Sequence, residues 1–449
     1  MDDRALALRL AKEIAASGGR AYYVGGYVRD ALLGIENKDI DMEVHGLAPE
    51  TLRNILSSFG QVMTIGESFG IYAIKGVGID IAMPRRERAV GTGHRDFEVS
   101  VDPFIGTEGA ARRRDFTINA MMQDVLTGEI VDPFGGREDL QKGILRHVND
   151  ESFAEDPLRV LRGAQFSARF GFPLAPETVL LCSRMAIAGL SRERIEEEMK
   201  KALLKAKTPS VFFQVLRQTR QLHDWFPEAE RLIGVPQPPL HHGEGDVWNH
   251  TMMVLDAAAK YRDRVESPMA LMTAALTHDF GKPDTTAQKD GVWHAYGHET
   301  AGVPVAETFL RRVTGENRLI ANVLNLTRLH MKPNVLFGAG SSVKATNRMY
   351  DETPLPLTLV YLAIADDEGR ITDNRRDGAE AFLLERLEIY REMAAHPCVT
   401  GKDLLAAGLA GGPAFTDYLA YARKLHLAGV AKDEALKQTL AYARKKARA

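Results

Sequence analysis

The sequence predicts an α+β protein, with a head built on a mixed sheet with helices and an all-helical remainder. Three observations predict it. Near the start, Ile40, Met42 and Val44 interleave with Asp39, Asp41 and Glu43, the period-two pattern of a half-buried strand. Short alternating runs follow at Gln61–Ile65, Ile71–Lys75 and Val77–Ala82. Beyond Asn149 the apolar spacing becomes helical and clear strands stop. A chain of 449 residues exceeds one core. The expected modules are a head over 1–149, a helical neck and body over 150–235, a histidine-rich helical domain over 236–380 and a helical basic tail over 381–449.

Composition narrows the function classes. A net charge of −3 means that any RNA-binding surface must be local rather than global. Cys182 and Cys398 are too few for a disulfide framework or a cysteine-based zinc finger, and they suit a reducing cytosol. The start, MDDRALALRLAKEIAASG, reads as an amphipathic helix rather than a signal peptide, and the longest apolar run, Pro354–Ala365, is too short to span a bilayer. The expectation is a cytoplasmic protein without a membrane partner.

Residues 1–20 form a helix leading into a strand at Tyr22–Val24, which stops at Gly25-Gly26; Val28–Leu33 is then a short helix ended by Gly34. Paired glycines at a strand-to-helix turn let backbone N–H groups approach a phosphate closely. With the apolar set of the next strand in a core, Asp39, Asp41 and Glu43 are all expected to face outward. Two aspartates at i and i+2 beside such a turn can hold divalent metals over a triphosphate. The string GGYVRDALLG followed by KDID resembles the signature of class II tRNA nucleotidyltransferases and bacterial poly(A) polymerases, of the polymerase-β-like nucleotidyltransferase superfamily. The resemblance implies catalytic and Mg2+-binding roles for Asp39 and Asp41, and nucleotide contacts from Gly26 and Arg29. Asp80, between two isoleucines in GIDIAMPR, is either a third carboxylate of this set or a salt-bridged strand residue.

Pro49–Phe59 reads as a helix. Arg85–Asp102 is rich in Arg and Gly, lacks strong periodicity and reads as a mobile loop; in the resembling family a loop here helps the switch from adding C to adding A. Arg112-Arg113-Arg114 precedes an expected amphipathic helix, and RRDFTINAM matches the family's second motif. The resemblance makes Arg114 a phosphate or base-side contact and Asp115 and Asn119 ribose contacts, since guanidinium forks suit phosphate oxygens. EIVDPFGGREDLQKGILRHV reads as strand, Pro/Gly turn, short helix and strand.

In the neck, EDPLRVLR places Asp156, Arg159 and Arg162 on adjacent helical turns. That is either an intrahelical ion-pair ladder or a base reader. Cytosine and adenine both present an amino donor beside a ring-nitrogen acceptor, where uracil and guanine present a carbonyl. A carboxylate next to an arginine therefore accepts C and A and rejects U and G. The family's matching motif does this work. The family often carries arginine one turn after Arg162, where this chain has Gln165; glutamine can still hydrogen-bond. SRERIEEEM resembles the motif that braces the base-reading helix, which makes Arg194 and Glu198 structural. The basic helices around Lys200–Arg220 suit the phosphates of an RNA acceptor stem.

A proline-broken linker from Val235 precedes His250, the doublet His278-Asp279, His298, His330 and Asp366. The ordered set His250, His278-Asp279 and Asp366 resembles the HD phosphohydrolase superfamily and implies a divalent metal site, with Mg, Mn or Ni suited to imidazole and carboxylate donors. Asp366 is preferred to Asp367 because ADxxGR is the form in the resembling proteins. The tail ends ARKKARA and suits RNA phosphate. Together these features imply a tRNA nucleotidyltransferase that adds C, C and A from CTP and ATP, acting as a monomer or homodimer. The alternatives are an A-only or poly(A) polymerase of the same family, or an HD phosphohydrolase with an RNA-binding head.

Overall fold

A computed structural model describes residues 2–64, 70–89, 97–373 and 375–446. The head opens with helix α1 (Asp3–Ala16), strand β1 (Arg20–Val24), α2 (Gly26–Leu32), β2 (Ile40–His45) and α3 (Pro49–Ser57). Then come β3 (Val62–Thr64), β4 (Ile71–Ile74), β5 (Ile79–Ala82), β6 (Arg85–Ala89), β7 (Phe97–Val101) and α4 (Gly106–Arg112). Strands β8 (Met122–Asp124) and β9 (Ile130–Val131) and helix α5 (Gly136–Lys142) follow. The main sheet has the order β3-β4-β5-β2-β1-β8-β9. The β2–β5 pair is parallel and its neighbours are antiparallel, which gives the mixed sheet that the alternating runs predict. Leu6, Leu10 and Ile14 of α1 and Leu52 and Leu56 of α3 bury one face of the sheet against Met42, Val44, Ile79 and Ile81.

Two expectations in the head change. Arg85–Asp102 is not an aperiodic loop along its whole length: β6 and β7 pair antiparallel, from Arg85 opposite Val101 to Ala89 opposite Phe97. Phe97, Val99 and Val101 do alternate in sequence, but the facing run RRERA is nearly all charged and hides the pattern. Residues 90–96 of this expected loop lie outside the described residues. The segment after Arg114 is a 3-10 turn, Thr117–Asn119, rather than an amphipathic helix. Side chains compete with the helix there. Asp115 accepts the Phe116 N–H at 2.7 Å and Thr117 donates to Asp139 at 2.8 Å, while Phe116 and Ile118 are both buried. After α5, the segment expected as a strand makes only isolated bridges, Phe116 with His147 and Leu145 with Leu174.

The neck is helical as expected: α6 (Asp150–Ala154), α7 (Leu158–Phe170), α8 (Pro176–Cys182), α9 (Arg192–Lys205), α10 (Ser210–Gln218) and α11 (Pro227–Glu230). Beyond it run α12 (Val247–Ala258), α13 (Pro268–Thr277), α14 (Lys282–Thr285), α15 (His298–Val313), α16 (Asn317–Leu329), α17 (Met331–Gly338), α18 (Val343–Asp351) and α19 (Pro356–Glu368). The tail holds α20 (Ala379–Ala395), α21 (Gly401–Ala406), α22 (Phe415–Leu427) and α23 (Lys432–Lys446). One departure from the all-helical expectation is the hairpin β10 (Ala287–Lys289) and β11 (Val292–His294). Asp290 and Gly291 turn it with φ of 51° and 77°, and Asp-Gly is the dipeptide that such turns favour. Where the sequence suggests four modules, packing groups the chain into two compact units. One is Met1–Met199 with Val211–Asp224; the other is Lys200–Ser210 with Trp225–Ala449. No helix among the described residues is long and apolar enough to cross a membrane.

The last carboxylate of the alternating run departs most from expectation. Glu43 is only 1% exposed, because His45, Arg113 and Arg114 close over it at 3.0, 3.0 and 3.4 Å. Burial alone would raise its carboxyl; the His45 hydrogen bond and the two guanidinium groups instead bring it down to about 2. A depressed carboxyl stabilises the fold above its unfolded value, and that stabilisation is lost as pH falls from about 4.5 towards about 2. We expect Glu43→Gln to cost on the order of 3 kcal/mol at neutral pH. The difference from wild type should shrink through that acid window in denaturant titrations, and a gap that does not change with pH would contradict the assignment.

Candidate functional site

In the first unit, parallel pairing sets Asp41 of β2 beside Asp80 of β5. Asp39 lies just before β2, its N–H held by Asn37 at 3.0 Å. Asp39 and Asp80 are exposed and Asp41 is half-buried. Burial raises the Asp41 carboxyl and the charges of Asp80 and Asp39 raise it further, against the pull of Arg114. Carboxylates gathered so that their charges oppose the ionisation of Asp41 fit a divalent cation. Of the two readings of Asp80, its register supports membership of this set. Arg114 leans over the glycine turn. Gly25 has φ of 65°, and a Cβ there would lie 3.1 Å from Arg114 Nη1, so the turn needs glycine both for its backbone and for the guanidinium above it.

Arg29, expected at the nucleotide, turns inward and is buried. It donates to Asp30 at 2.8 and 2.6 Å and to Asn119 at 2.6 Å, with its guanidinium 4.6 Å from the Phe170 ring centre. Gly26 opens α2, and a Cβ there would meet the same guanidinium at 3.4 Å. Asn119 passes the connection on by donating to Asp115 at 2.9 Å, and Arg162 of α7 donates to the other Asp115 oxygen at 2.7 Å. Burial would raise the Asp115 carboxyl, yet Arg162 and Asn119 hold it below its ordinary range.

The base-reading candidates make side-chain contacts outside their own helix. Asp156 takes both contacts from Arg194, at 3.0 and 2.9 Å, which is the bracing role expected of Arg194. Arg159 donates to the carbonyls of Ser152 and Arg113 at 2.7 and 2.6 Å, tying α7 to the arginine tract. Gln165 is buried in α7, and Arg169, one turn on, lies 3.8 Å from Asp30.

In the second unit, His250, His278, Asp279 and Asp366 come together as the sequence predicts, all buried. Asp366 lies 3.1 Å from His250 Nε2, whereas Asp367 pairs with Arg376, so the preferred aspartate is the one at the centre. Two further histidines join that the sequence reading named without assigning. Asp279 places one oxygen 3.1 and 3.7 Å from His278 and His250, and the other 3.2 and 4.0 Å from His298 and His330. It is shared by two ligand groups, His250 with His278 and His298 with His330. Close backbone packing makes this possible, since a Cβ on Gly281 would fall 2.1 Å from the His298 carbonyl.

The donor set fits a metal on its own chemistry. Nδ1 of His278, His298 and His330 each faces a backbone carbonyl, at 2.9, 2.7 and 2.7 Å. A carbonyl only accepts, so Nδ1 carries the proton and each Nε2 keeps a lone pair. The Nε2 atoms of His298 and His330 lie 3.2 Å apart, and those of His250 and His278 lie 3.4 Å apart. Lone pairs and two carboxylates converge where only a cation can satisfy them all. Burial pushes His330 down to about 3, which keeps it a neutral ligand. Burial would raise Asp279 and Asp366, but His278 and Lys282 around the first and Arg370 and His250 around the second hold both well below the carboxylate range.

Glu244, in the linker, was not legible as part of this centre. Its carboxylate sits 3.1 Å from His250 Nδ1 and 2.7 Å from His242, and also accepts the Ile371 N–H at 2.8 Å. The only sequence signal was its nearness to two histidines. A larger cavity of about 880 Å3, bordered by Arg328, Lys344 and Arg348, contains none of the predicted site residues.

Three family models match. One described as the poly A polymerase head domain covers residues 21–146, one described as a probable RNA and SrmB-binding site of polymerase A covers 171–233, and the HD domain covers 247–370. The chain is 38% identical over 403 residues to a multifunctional CCA protein of Nitrosococcus oceani, spanning 87% of this chain and 93% of that one. Its fold is similar to a CCA-adding enzyme in complex with CTP, with TM-score 0.66 and 20% identity over 98% of this chain and 94% of that one. It is also similar to the Thermotoga maritima CCA-adding enzyme complexed with tRNA, with TM-score 0.63 and 20% identity over 98% and 95% of the two chains.

Because Glu244 orients His250 from behind, Glu244→Ala should weaken Mn2+ binding at the histidine centre about 10- to 100-fold. Calorimetric titration of the metal-stripped protein measures this. Unchanged affinity would reduce Glu244 to a linker contact.

Proposed function

From the premise that the chain belongs to the family of multifunctional CCA proteins, we propose that its head adds C, C and A to the 3′ end of tRNA from CTP and ATP. The RNA 3′-hydroxyl attacks the α-phosphorus, the bond to the β-phosphate breaks and pyrophosphate leaves. Divalent cations, with Mg2+ suited to the all-oxygen donors, would be held by Asp39, Asp41 and Asp80 and would supply charge neutralisation at the attacking oxygen and the triphosphate. Arg114, over the Gly25 turn, meets the phosphates. Asp156 accepts the amino group shared by cytosine and adenine, and Arg159 donates to the adjacent ring nitrogen. Arg29, Asn119 and Asp115 reach the nucleotide through Arg162, which they hold at the edge of the site. The observation that carries this reading is the Asp41–Asp80 register beside Arg114, in the same unit as the base-reading helix α7.

The histidine centre of the second unit is a phosphohydrolase site that uses water to cleave phosphoesters. A divalent ion held by His250, His278, Asp279 and Asp366, joined by His298 and His330, would supply a Lewis acid there; Mn, Ni and Mg all suit these donors. Both activities belong to the cytoplasm, where the nucleotides and tRNA are found.

Three transcripts of one tRNA test the head: one ending before CCA, one ending after C-C and one complete, each offered CTP and ATP. The first should gain C, C and A, the second A alone and the third nothing. Asp41→Ala should lower all incorporation about 100-fold or more. A long A tail on an unrelated RNA would replace this reading with a poly(A) polymerase, and extension of the C-C transcript alone would make it an A-adding enzyme. For the second centre, His278→Ala should abolish Mn2+-dependent phosphate release while CTP and ATP addition persists. Joint loss in a folded variant would refute separate sites.

A further inference from the structure

We propose that Glu43 is a positioning residue for nucleotide binding: it anchors one arm of Arg114, so that the other arm stays over the glycine turn instead of falling onto the carboxylates of Asp39, Asp41 and Asp80. The inference rests on the nucleotidyltransferase reading of the head. Glu43 follows Asp41 by two residues on β2, so the two side chains leave the same face of the sheet. About 7 Å of strand separates them. Arg114, from the tract after α4, comes within reach of both. Its Nη2 lies 3.4 Å from Glu43 Oε2, and its charge pulls on Asp41.

The guanidinium is divided between two directions. Nη2 donates to Glu43, while Nη1 lies over the Gly25 turn. Among the described residues, Glu43 is the one acceptor of a side-chain hydrogen bond from Arg114. Take that carboxylate away, and the anions left to draw Arg114 are Asp41 and its neighbours Asp80 and Asp39. A guanidinium lodged among them would occupy the place of a divalent cation and leave the turn. Glu43 thus lets the phosphate-binding arginine and the cation-binding carboxylates stand side by side.

The surroundings make Glu43 a firm anchor. His45 Nε2 holds its other oxygen at 3.0 Å, and the His45 ring is itself packed edge-on against Tyr22, with centroids 5.2 Å apart. The carboxylate is therefore fixed from behind, while the side chains of Arg113 and Arg114 in front of it stay 23% and 18% exposed. An anchor inside and cations that reach solvent are what a ligand site needs. Arg113 extends the link. Its guanidinium meets Glu43 at 3.0 Å, and its backbone carbonyl accepts from Arg159 at 2.6 Å. One buried carboxylate thus supports both the phosphate side and the base-reading side.

The test measures CTP binding to the full chain by calorimetry in EDTA, so that no cation covers the carboxylates. Glu43→Gln should weaken CTP binding about ten-fold. A merely structural role would instead lower the number of binding sites and leave the affinity of the folded fraction unchanged. In an Arg114→Gln background the same change should alter affinity less than about two-fold, because the anchor then has nothing to hold. Glu43→Asp, which keeps the charge at a shorter reach and serves if Glu43→Gln does not fold, should show a smaller loss of about three-fold, again cancelled by Arg114→Gln. Unchanged affinity in both Glu43 variants, an equal loss in both backgrounds, or wild-type protein that binds no CTP without a cation would overturn the anchor. With Mg2+ and a tRNA lacking CCA, Glu43→Gln should raise KM for CTP with little change in kcat. Wild-type protein that binds CTP yet adds no nucleotide would count against the nucleotidyltransferase reading, and the binding comparison would still decide the anchor.

Discussion

The pairing of buried Asp115 with half-buried Arg162 is the contact on which the head and its reader depend. A buried carboxylate needs a cation and hydrogen-bond donors, and Asp115 draws them from two directions. Arg162 comes from α7, and Asn119 comes from the turn before β8, steadied in its turn by Arg29. Arg159 adds a second tie, to the carbonyl of Arg113. Helix α7, which begins just after Asp156, is thereby fixed against the tract that carries Arg114. A template made of side chains can discriminate bases only if its acceptor and its fork keep their spacing, and rigid support of this kind provides that.

The second unit solves a different problem with the same economy of parts. Four imidazoles and two carboxylates would repel or compete if they were left to themselves. Backbone carbonyls at Ala275, Ala295 and Thr327 fix three of the tautomers, so that lone pairs point inward. Lys282 and Arg370 offset part of the anionic charge at 2.7 and 2.6 Å. The result is a centre whose basicity is set by its surroundings rather than by the ligands alone.

Much of this was legible in the chain. The glycine turn, the aspartates at i and i+2, the Asp156–Arg162 spacing and the His278-Asp279 doublet all depend on neighbours within a turn or a strand, and their local periodicity survives folding. The hairpins were missed for a local reason as well: one has a charged strand that hides its alternation, and the other carries its Asp-Gly turn inside a segment read as helical. Glu43 was misplaced for a different reason. Its alternation with Met42 and Val44 gave its face correctly, but not that Arg113 and Arg114, some seventy residues on, would cover that face.

The sequence by itself determined which face each strand residue takes, where the glycine turn falls and which carboxylates and histidines have the chemistry for phosphate and metal. Only the tertiary structure decided which of them meet. It set Asp80 beside Asp41 through a parallel register, turned Arg29 away from the surface, brought His298 and His330 to the second side of Asp279, and recruited Glu244 behind His250. Spacing along a chain fixes direction, whereas burial, charge pairing and metal geometry depend on distance in space, and those distances come from helices and strands far apart in sequence.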